Sequence, residues 1–294
     1  MTLAIEVKDL TVRYGPMTAV DQVSFHLDGG KIYGLLGRNG SGKTSLLSVL
    51  ASFQPQSKGE VRIGGEAPFE NAAVTSQVCL IQESVHLADG YHVKDALKLA
   101  AVCWPNWDDS YAARLLESFG LPLKKRISAL SRGMKSALGV TIGLASRAPV
   151  TIFDEAYLGM DAPSRYAFYE ELLKDYMEQP RTFILSTHLI EEVSSLFEEV
   201  LILDGGKLLL HEETELLRGR GVTVTGPAAK VDEFQLGLNV LGEQKLGGTK
   251  SITVYGELSS ERVTRARAEG LELGPVPLQD LFVHLTRRGG ALHE

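Results

Sequence analysis

Polar and apolar residues alternate along residues 3–27, with a break at Gly15-Pro16, and this period of two predicts two strands joined by a turn. Asp28-Gly29-Gly30 marks a second turn. Residues 32–36 then run continuously apolar, as a strand buried on both faces does. After a glycine-rich stretch, the apolar positions of residues 43–50 predict a helix. Residues 60–63 and 78–81 read as short strands, the first closed by Gly64-Gly65 and the second ending in Gln82. Helical spacing takes over at residues 93–102, 109–119 and 131–145, and apolar strands return at 150–153, 183–186 and 200–203. Strands alternating with helices predict an α/β fold with a mostly parallel sheet and antiparallel strands at the N-terminus. An inserted helical subdomain is expected over about residues 84–130.

The texture changes at Gly219-Arg220-Gly221, a loop signal. Beyond it, strands are predicted at 222–225 and 251–255, and helices near 228–234, 261–268 and 278–285. The chain is therefore expected to divide into a large domain, residues 1–218, and a small C-terminal α/β appendage, residues 219–294. The appendage carries no chemical motif; dimer contact, regulation and plain stabilisation all remain open to it.

Composition narrows the classes of function. With 44% hydrophobic and 23% charged residues, the 294-residue chain has the make-up of an ordinary globular protein. Its net charge of −7 supplies no overall basic field, so no nucleic-acid partner is expected. No apolar run is long enough to span a bilayer, and the opening MTLAIEVKDL has no signal-peptide profile, so a cytoplasmic location is expected. Cys79 and Cys103 form no C-x-x-C pair and are both expected to be small buried hydrophobes.

Chemistry enters between the apolar strand 32–36 and the helix 43–50. Gly37-Arg38-Asn39-Gly40-Ser41-Gly42-Lys43-Thr44 fits G-x-x-x-x-G-K-[ST]. Glycines let the backbone curl so that successive N–H groups and the helix N-terminus converge on a phosphate. Lys43 would reach the β- and γ-phosphates, and the Thr44 hydroxyl would complete a Mg²⁺ shell, which points to a nucleoside triphosphate. A second apolar strand, 150–153, ends in Asp154 and Glu155, where ligands sit in open α/β sheets. Asp154 is the candidate metal residue and Glu155 the candidate general base; the alternative is a strand that ends in surface acids. Ser131 reads as the N-cap of the helix that follows it, which would leave free N–H groups and a positive dipole end facing outward.

Leu130-Ser131-Arg132-Gly133-Met134, lying between the phosphate loop and Asp154, resembles the signature sequence of ATP-binding cassette (ABC) proteins. The resemblance runs from about residue 3 to 218 and implies a P-loop NTPase fold, with ATP and Mg²⁺ as ligands. It implies that Tyr14 stacks on adenine, and that Gln82 joins the site to the helical subdomain and a transmembrane partner, contacts the metal and takes part in catalysis. It also makes Ala156 to Asp161 the loop after the catalytic acid, with Asp161 its aspartate, and His188 the switch histidine that senses the γ-phosphate. In this family Ser131 and Gly133 meet the ATP held by a second subunit, so a dimer, expected to be a homodimer, is implied. Three positions depart from the family pattern: Arg132 replaces a glycine, Met134 a glutamine and Ala156 a proline.

A narrower resemblance, carried by Trp104-Pro105-Asn106-Trp107-Asp108 and Leu278-Gln279-Asp280-Leu281-Phe282, is to ATPase subunits of small bacterial exporters in antibiotic-responsive operons. The two tryptophans could fill the subdomain or grip a membrane partner. The function implied is an ATPase that dimerises on ATP and drives a separate membrane-spanning permease, peripherally on the inner face of the cell membrane. The alternatives are a soluble cassette protein acting on ribosomes or DNA, and a signalling module in which ATP occupancy matters more than turnover.

Overall fold

Strands β1 (Ile5–Tyr14) and β2 (Met17–Leu27) pair antiparallel across the Gly15-Pro16 turn, and β4 (Lys58–Ile63) joins the other edge of β1. Between β2 and β4 come β3 (Ile32–Gly37), buried at every position, and helix α1 (Lys43–Leu50). The computed structural model describes residues 2–83, 90–219, 221–256 and 258–287. Residues 84–89, the expected start of the helical subdomain, and Arg220 of the expected loop signal lie outside the described residues.

The chain continues through α2 (Ala72–Thr75), β5 (Val78–Gln82), α3 (Val93–Cys103), α4 (Asp109–Ser118), a 3₁₀ turn at Ile127–Ala129, and α5 (Arg132–Ala145). Then follow β6 (Val150–Asp154), α6 (Ala162–Glu178), β7 (Thr182–Thr187), the one-turn α7 (Ile190–Val193), β8 (Glu199–Asp204) and β9 (Lys207–Glu213). Six strands form one sheet in the order β5-β6-β7-β3-β8-β9, parallel from β5 through β8. A parallel sheet covered on both faces needs continuous apolar strands, and β3, β6 and β7 are buried throughout. Leu46, Leu47 and Leu50 of α1 close one face in a core shared with Leu10, Val20 and Ile152.

Register sets the position of the site. Gln82 lies beside Asp154, Asp154 beside Ser186, and Thr187 beside Leu36, so the carboxyl ends of β5, β6, β7 and β3 line up along one edge. The glycine loop leaves from that edge, and so do Glu155 and His188.

The chain forms two compact units, Met1–His188 with Ser195–His211, and Leu189–Ser194 with Glu212–Glu294. The second unit holds α7, α8 (Thr214–Gly219), β10 (Gly221–Pro227), α9 (Ala228–Phe234), β11 (Val240–Leu246), β12 (Thr249–Tyr255), α10 (Ser260–Ala268), β13 (Glu272–Pro275) and α11 (Leu278–Arg287). Its four strands are all antiparallel in the order β11-β12-β10-β13, a β-α-β-β-α-β split motif. Val224, Val231, Phe234, Ile252 and Leu271 form its core.

The two cysteines differ from the expectation. Cys79 is buried in β5, and burial pushes its thiol up to about 12. Cys103 is exposed, because α3 ends there and the next residue, Trp104, turns inward to donate from Nε1 to the Val78 carbonyl at 3.3 Å. Trp107 is half-buried and bonds Asp109 Oδ1 at 2.8 Å.

The helical segment is tied to the sheet by buried charge. Asp175 of α6, fully buried, accepts from both Arg147 and Arg181, and Arg147 also reaches Asp108, the N-cap of α4, at 3.3 Å. Arg181 also donates to the Leu144 and Ala148 carbonyls and to Thr151 Oγ1, and burial lowers its pKa to about 10. A buried guanidinium and a largely buried one facing one buried carboxylate cannot lose it cheaply. Asp175→Ala is expected to lower unfolding free energy by about 3–5 kcal/mol. Urea titration followed by the fluorescence of Trp104 and Trp107 reads the change; a shift within experimental error refutes it.

Candidate nucleotide site

The loop between β3 and α1 is built on glycines in places where no other residue fits. Gly42, the N-cap of α1, has φ +102°, and a Cβ there would stand 2.3 Å from the Ala19 carbonyl oxygen. A Cβ on Gly37 would meet Ser41 Oγ at 2.3 Å and the Leu203 oxygen at 2.7 Å. Gly40, at φ +82°, has open space around it at the loop apex, with Arg38 and Asn39 exposed beside it. The loop is closed by Ser41 N–H donating to the Arg38 carbonyl at 3.0 Å and by Gly206 N–H donating to the Ser41 carbonyl at 3.1 Å.

Lys43 is buried, and its ammonium is folded back under the loop. Nζ donates to the Gly37 carbonyl at 2.8 Å and the Arg38 carbonyl at 3.4 Å, and lies 3.6 Å from Glu155 Oε1. Glu155 in turn presents Oε2 to His188 Nδ1 at 3.5 Å. The structure thus strings Lys43, Glu155 and His188, widely separated in sequence, along one line at the sheet edge. Glu155 has φ +53°, a left-handed backbone that residues other than glycine take only uncommonly, while its N–H donates to the Ser186 carbonyl at 3.2 Å. Strain of that kind, on the order of 1–3 kcal/mol, persists where the surroundings fix it and concentrates at functional sites.

Thr44 Oγ1 donates to Asp154 Oδ2 at 2.8 Å, joining α1 to the end of β6. The other oxygen, Asp154 Oδ1, is buried and has no hydrogen-bond partner among the described residues, although the Ser186 hydroxyl lies near enough to the carboxylate to favour its charged form. Burial pushes the Asp154 carboxyl above its usual range. Gln82 sits beside it by strand register.

Tyr14 ends β1 with its ring half-exposed and its hydroxyl paired with Gln54, which in turn donates to the Ser45 carbonyl of α1 at 3.3 Å. Gln54 had no signal in the sequence; its link between Tyr14 and α1 is visible only in three dimensions.

The signature segment lies on other elements. Ser131 is the N-cap of α5, its Oγ accepting from Met134 N–H at 3.2 Å, a cap worth about 1 kcal/mol. Arg132 pairs with Glu83 on the surface. Gly133 is packed against its own chain: a Cβ there would stand 2.8 Å from the Gly159 carbonyl, and one on Gly159 would meet Ser136 Oγ at 2.7 Å. Gly159, within the 156–161 loop, has no distinctive local pattern in the sequence, and it supplies this contact within the chain. Asp161 caps α6, accepting from Ser164 N–H at 3.0 Å, and the bonds from Ser164 hold its carboxyl below the usual range. Ala156 is wholly buried. Among the described residues, no hydrogen bond or ion pair joins Ser131, Gly133 or Asp161 to residues 37–44.

Residues 20–158 match the family model described as ABC transporter. Nod factor export ATP-binding protein I of Paraburkholderia xenovorans (strain LB400) is 31% identical over 302 residues, covering 97% of this chain and 97% of that protein. The chain belongs to the ABC transporter family. Bacitracin transport ATP-binding protein BcrA of Enterococcus faecalis is 30% identical over 212 residues, covering 71% of this ABC protein and 69% of the relative. The solved structure of an ATP-binding subunit of an ABC transporter superposes with a TM-score of 0.66 at 24% identity, covering 74% of this chain and 92% of that one. The fold is that of ABC ATPase domains, α/β with a mostly parallel sheet. No helix among the described residues of this ABC protein is long and apolar enough to cross a membrane.

Gly42→Ala and Gly40→Ala separate strain from collision. Both place a side chain at positive φ, but only the first also drives it into the Ala19 carbonyl. Titration with a fluorescent ATP analogue is expected to give at least about a tenfold weaker Kd for Gly42→Ala and a smaller loss for Gly40→Ala. In metal-free buffer at neutral pH, Asp154→Asn is expected to raise the melting temperature. A raised carboxyl pKa contributes stability below the ordinary aspartate value and loses it as pH rises through the raised one, so the ionised group opposes folding. A fall in melting temperature refutes this.

Proposed function

We propose that the chain is the ATP-binding and ATP-hydrolysing subunit of an exporter, which dimerises on ATP and powers a separate membrane-spanning permease. The observation that carries this reading is the line from Lys43 through Glu155 to His188, with Thr44 and Asp154 beside it. Names of full-length and partial relatives, which include Nod factor export and bacitracin transport, support the exporter over the ribosomal and DNA-acting alternatives. The permease is an integral membrane protein, and this subunit would dock on its cytoplasmic side.

In this reading the amides of residues 37–42 and the buried Lys43 hold the β- and γ-phosphates. A charged phosphate oxygen is a stronger acceptor than the Gly37 and Arg38 carbonyls that Nζ bonds in the structure. The half-exposed ring of Tyr14, anchored through Gln54, is available to stack on adenine. Thr44 and Asp154 fit a hard divalent cation: a hydroxyl oxygen and a buried carboxylate oxygen without a partner are the donor set Mg²⁺ takes. Gln82 completes that set by register. Mg²⁺ there would neutralise charge developing on the phosphoryl oxygens.

Glu155 acts as general base, oriented from one side by Lys43 and from the other by His188, and His188 follows the γ-phosphate. Ser131 and Gly133, at the N-terminus of α5, and Asp161 would face the ATP of a second, identical subunit, where free N–H groups and the helix dipole favour anions.

Glu155→Gln is expected to cut steady-state turnover by about 10²–10⁴-fold and to accumulate an ATP-bound dimer on size-exclusion chromatography. Lys43→Ala is expected to lose ATP binding altogether. Parental turnover by Glu155→Gln, or a monomer under all ATP conditions, would overturn the proposal.

A further inference from the structure

Sheet order leaves β11 with a neighbour on one side. Among the described residues it ends the C-terminal sheet, with β12 inside it and no strand beyond. An unpaired edge presents a row of N–H and C=O groups that another strand can join unless something blunts it. The opposite edge is blunted, because β13 is four residues long and closes on Pro275. β11 holds no proline, and its residues 242–246 pair with β12 in unbroken register. That run is bounded by an irregularity between Val240 and Gly242 and by the turn at Gly247-Gly248.

Alternation decides which groups point outward. Leu246 and Thr249 close a two-residue turn, so they exchange hydrogen bonds, and so do Gln244 with Ser251 and Gly242 with Thr253. Glu243 and Lys245 lie between these pairs and direct their backbone N–H and C=O groups to the open side. Their side chains share one face of the sheet. On it Lys245 stands directly across from Lys250, whose ammonium is already met by Asp232 and by Glu243, each at 2.7 Å. Like charges directly opposite in a ladder repel, so Lys245 has reason to turn outward. Glu243 is still 65% exposed. On the other face Leu246 is 87% exposed, and the His284 ring fills the place of a side chain at Gly242, where a Cβ would stand 2.2 Å from Cε1.

We propose that β11 is a contact between two copies of this chain: the β11 of a second copy adds to it antiparallel, about a two-fold axis at Gln244. Pairing of the outward groups within the run permits a centre at 243, 244 or 245. The first opposes Glu243 to itself and the last opposes Lys245 to itself. The centre at Gln244 sets Glu243 of each copy against Lys245 of the other, and those residues also exchange the backbone hydrogen bonds. A lone lysine guards an edge against association; here the acid two residues away supplies its partner. The same register lays Leu246 of each copy over Gly242 of the other, against the His284 ring. The two sheets then run on as one. This contact goes beyond the ATP-driven dimer proposed above, since it needs neither nucleotide nor any residue of the phosphate site. Its small extent makes it weak, with a Kd of about 10⁻⁵–10⁻⁴ M.

The test uses the full chain carrying Cys103→Ser, which removes the exposed thiol, in nucleotide-free buffer with copper–phenanthroline as oxidant. At a protein concentration near that Kd, Gln244→Cys is expected to form an intermolecular disulfide at least about tenfold faster than Lys245→Cys. Only position 244 faces itself, at the close Cα spacing of a non-hydrogen-bonded pair. A mixture of Glu243→Cys and Lys245→Cys is expected to give the mixed dimer faster than either variant cross-links alone. Adding Lys245→Glu to Gln244→Cys is expected to slow the disulfide at least about tenfold, because like charges then face each other. Residues 243–245 are exposed, so these changes leave the core of the unit intact. Equal rates at 244 and 245, no disulfide at 244, or an undiminished rate with Lys245→Glu would overturn the inference. Parental turnover by Glu155→Gln bears on the proposed function alone and leaves this result standing.

Discussion

The site depends on how tightly the glycine loop is wedged between neighbouring strands. The Ala19 carbonyl of β2 occupies the place a Cβ of Gly42 would take, and Leu203 of β8 does the same at Gly37. Gly206, in the turn between β8 and β9, ties the loop from behind through Ser41 and accepts from Asp21 N–H at 2.8 Å. Held in this way, the loop determines where Lys43 and Thr44 emerge, and hence which atoms Asp154 and Glu155 can reach. The sheet order then does the rest, because β6 and β7 end level with β3 and present their acids and the histidine to the same space.

The charge balance of that space explains its ligand. Lys43 is buried beside two carboxylates, one of which has an oxygen without a hydrogen-bond partner among the described residues. In the proposed site a triphosphate would add further negative charge, which the loop amides would spread over several N–H groups and a divalent cation beside Asp154 would offset. The left-handed backbone at Glu155 belongs to the same arrangement: it turns the carboxylate away from the strand direction and between Lys43 and His188.

Much of this was legible in the chain before folding. Local motifs carry their own geometry, so the phosphate loop, the Ser131 cap and the acids at the end of β6 could be read from spacing alone. The parallel sheet followed from apolar runs too continuous to face water. Contacts made by residues without a distinctive local pattern were hidden: Gln54 beneath Tyr14, Gly159 against Gly133, and the pairing of Arg147 and Arg181 with Asp175. In the C-terminal unit β11 was invisible because most of its residues are exposed and polar, and β13 because it is four residues long and includes Gly274 and Pro275. Without them the split motif could not be recognised, since its strand order is a property of pairing. Cys103 misled for a simpler reason: a small apolar residue at a helix end need not be covered.

The glycine pair 133 and 159 has a mechanical meaning. At Gly133 the start of α5 meets the Gly159 carbonyl of the loop that follows Glu155 with no side chain of its own in the way, while Arg132 and Ser136 pack against Gly159 from the other side. A shift of the loop after Glu155 would therefore press on the start of α5, the surface that the proposal turns toward a second subunit. In a face-to-face pair, that contact would lie on the short path between each loop and the neighbour's bound ligand.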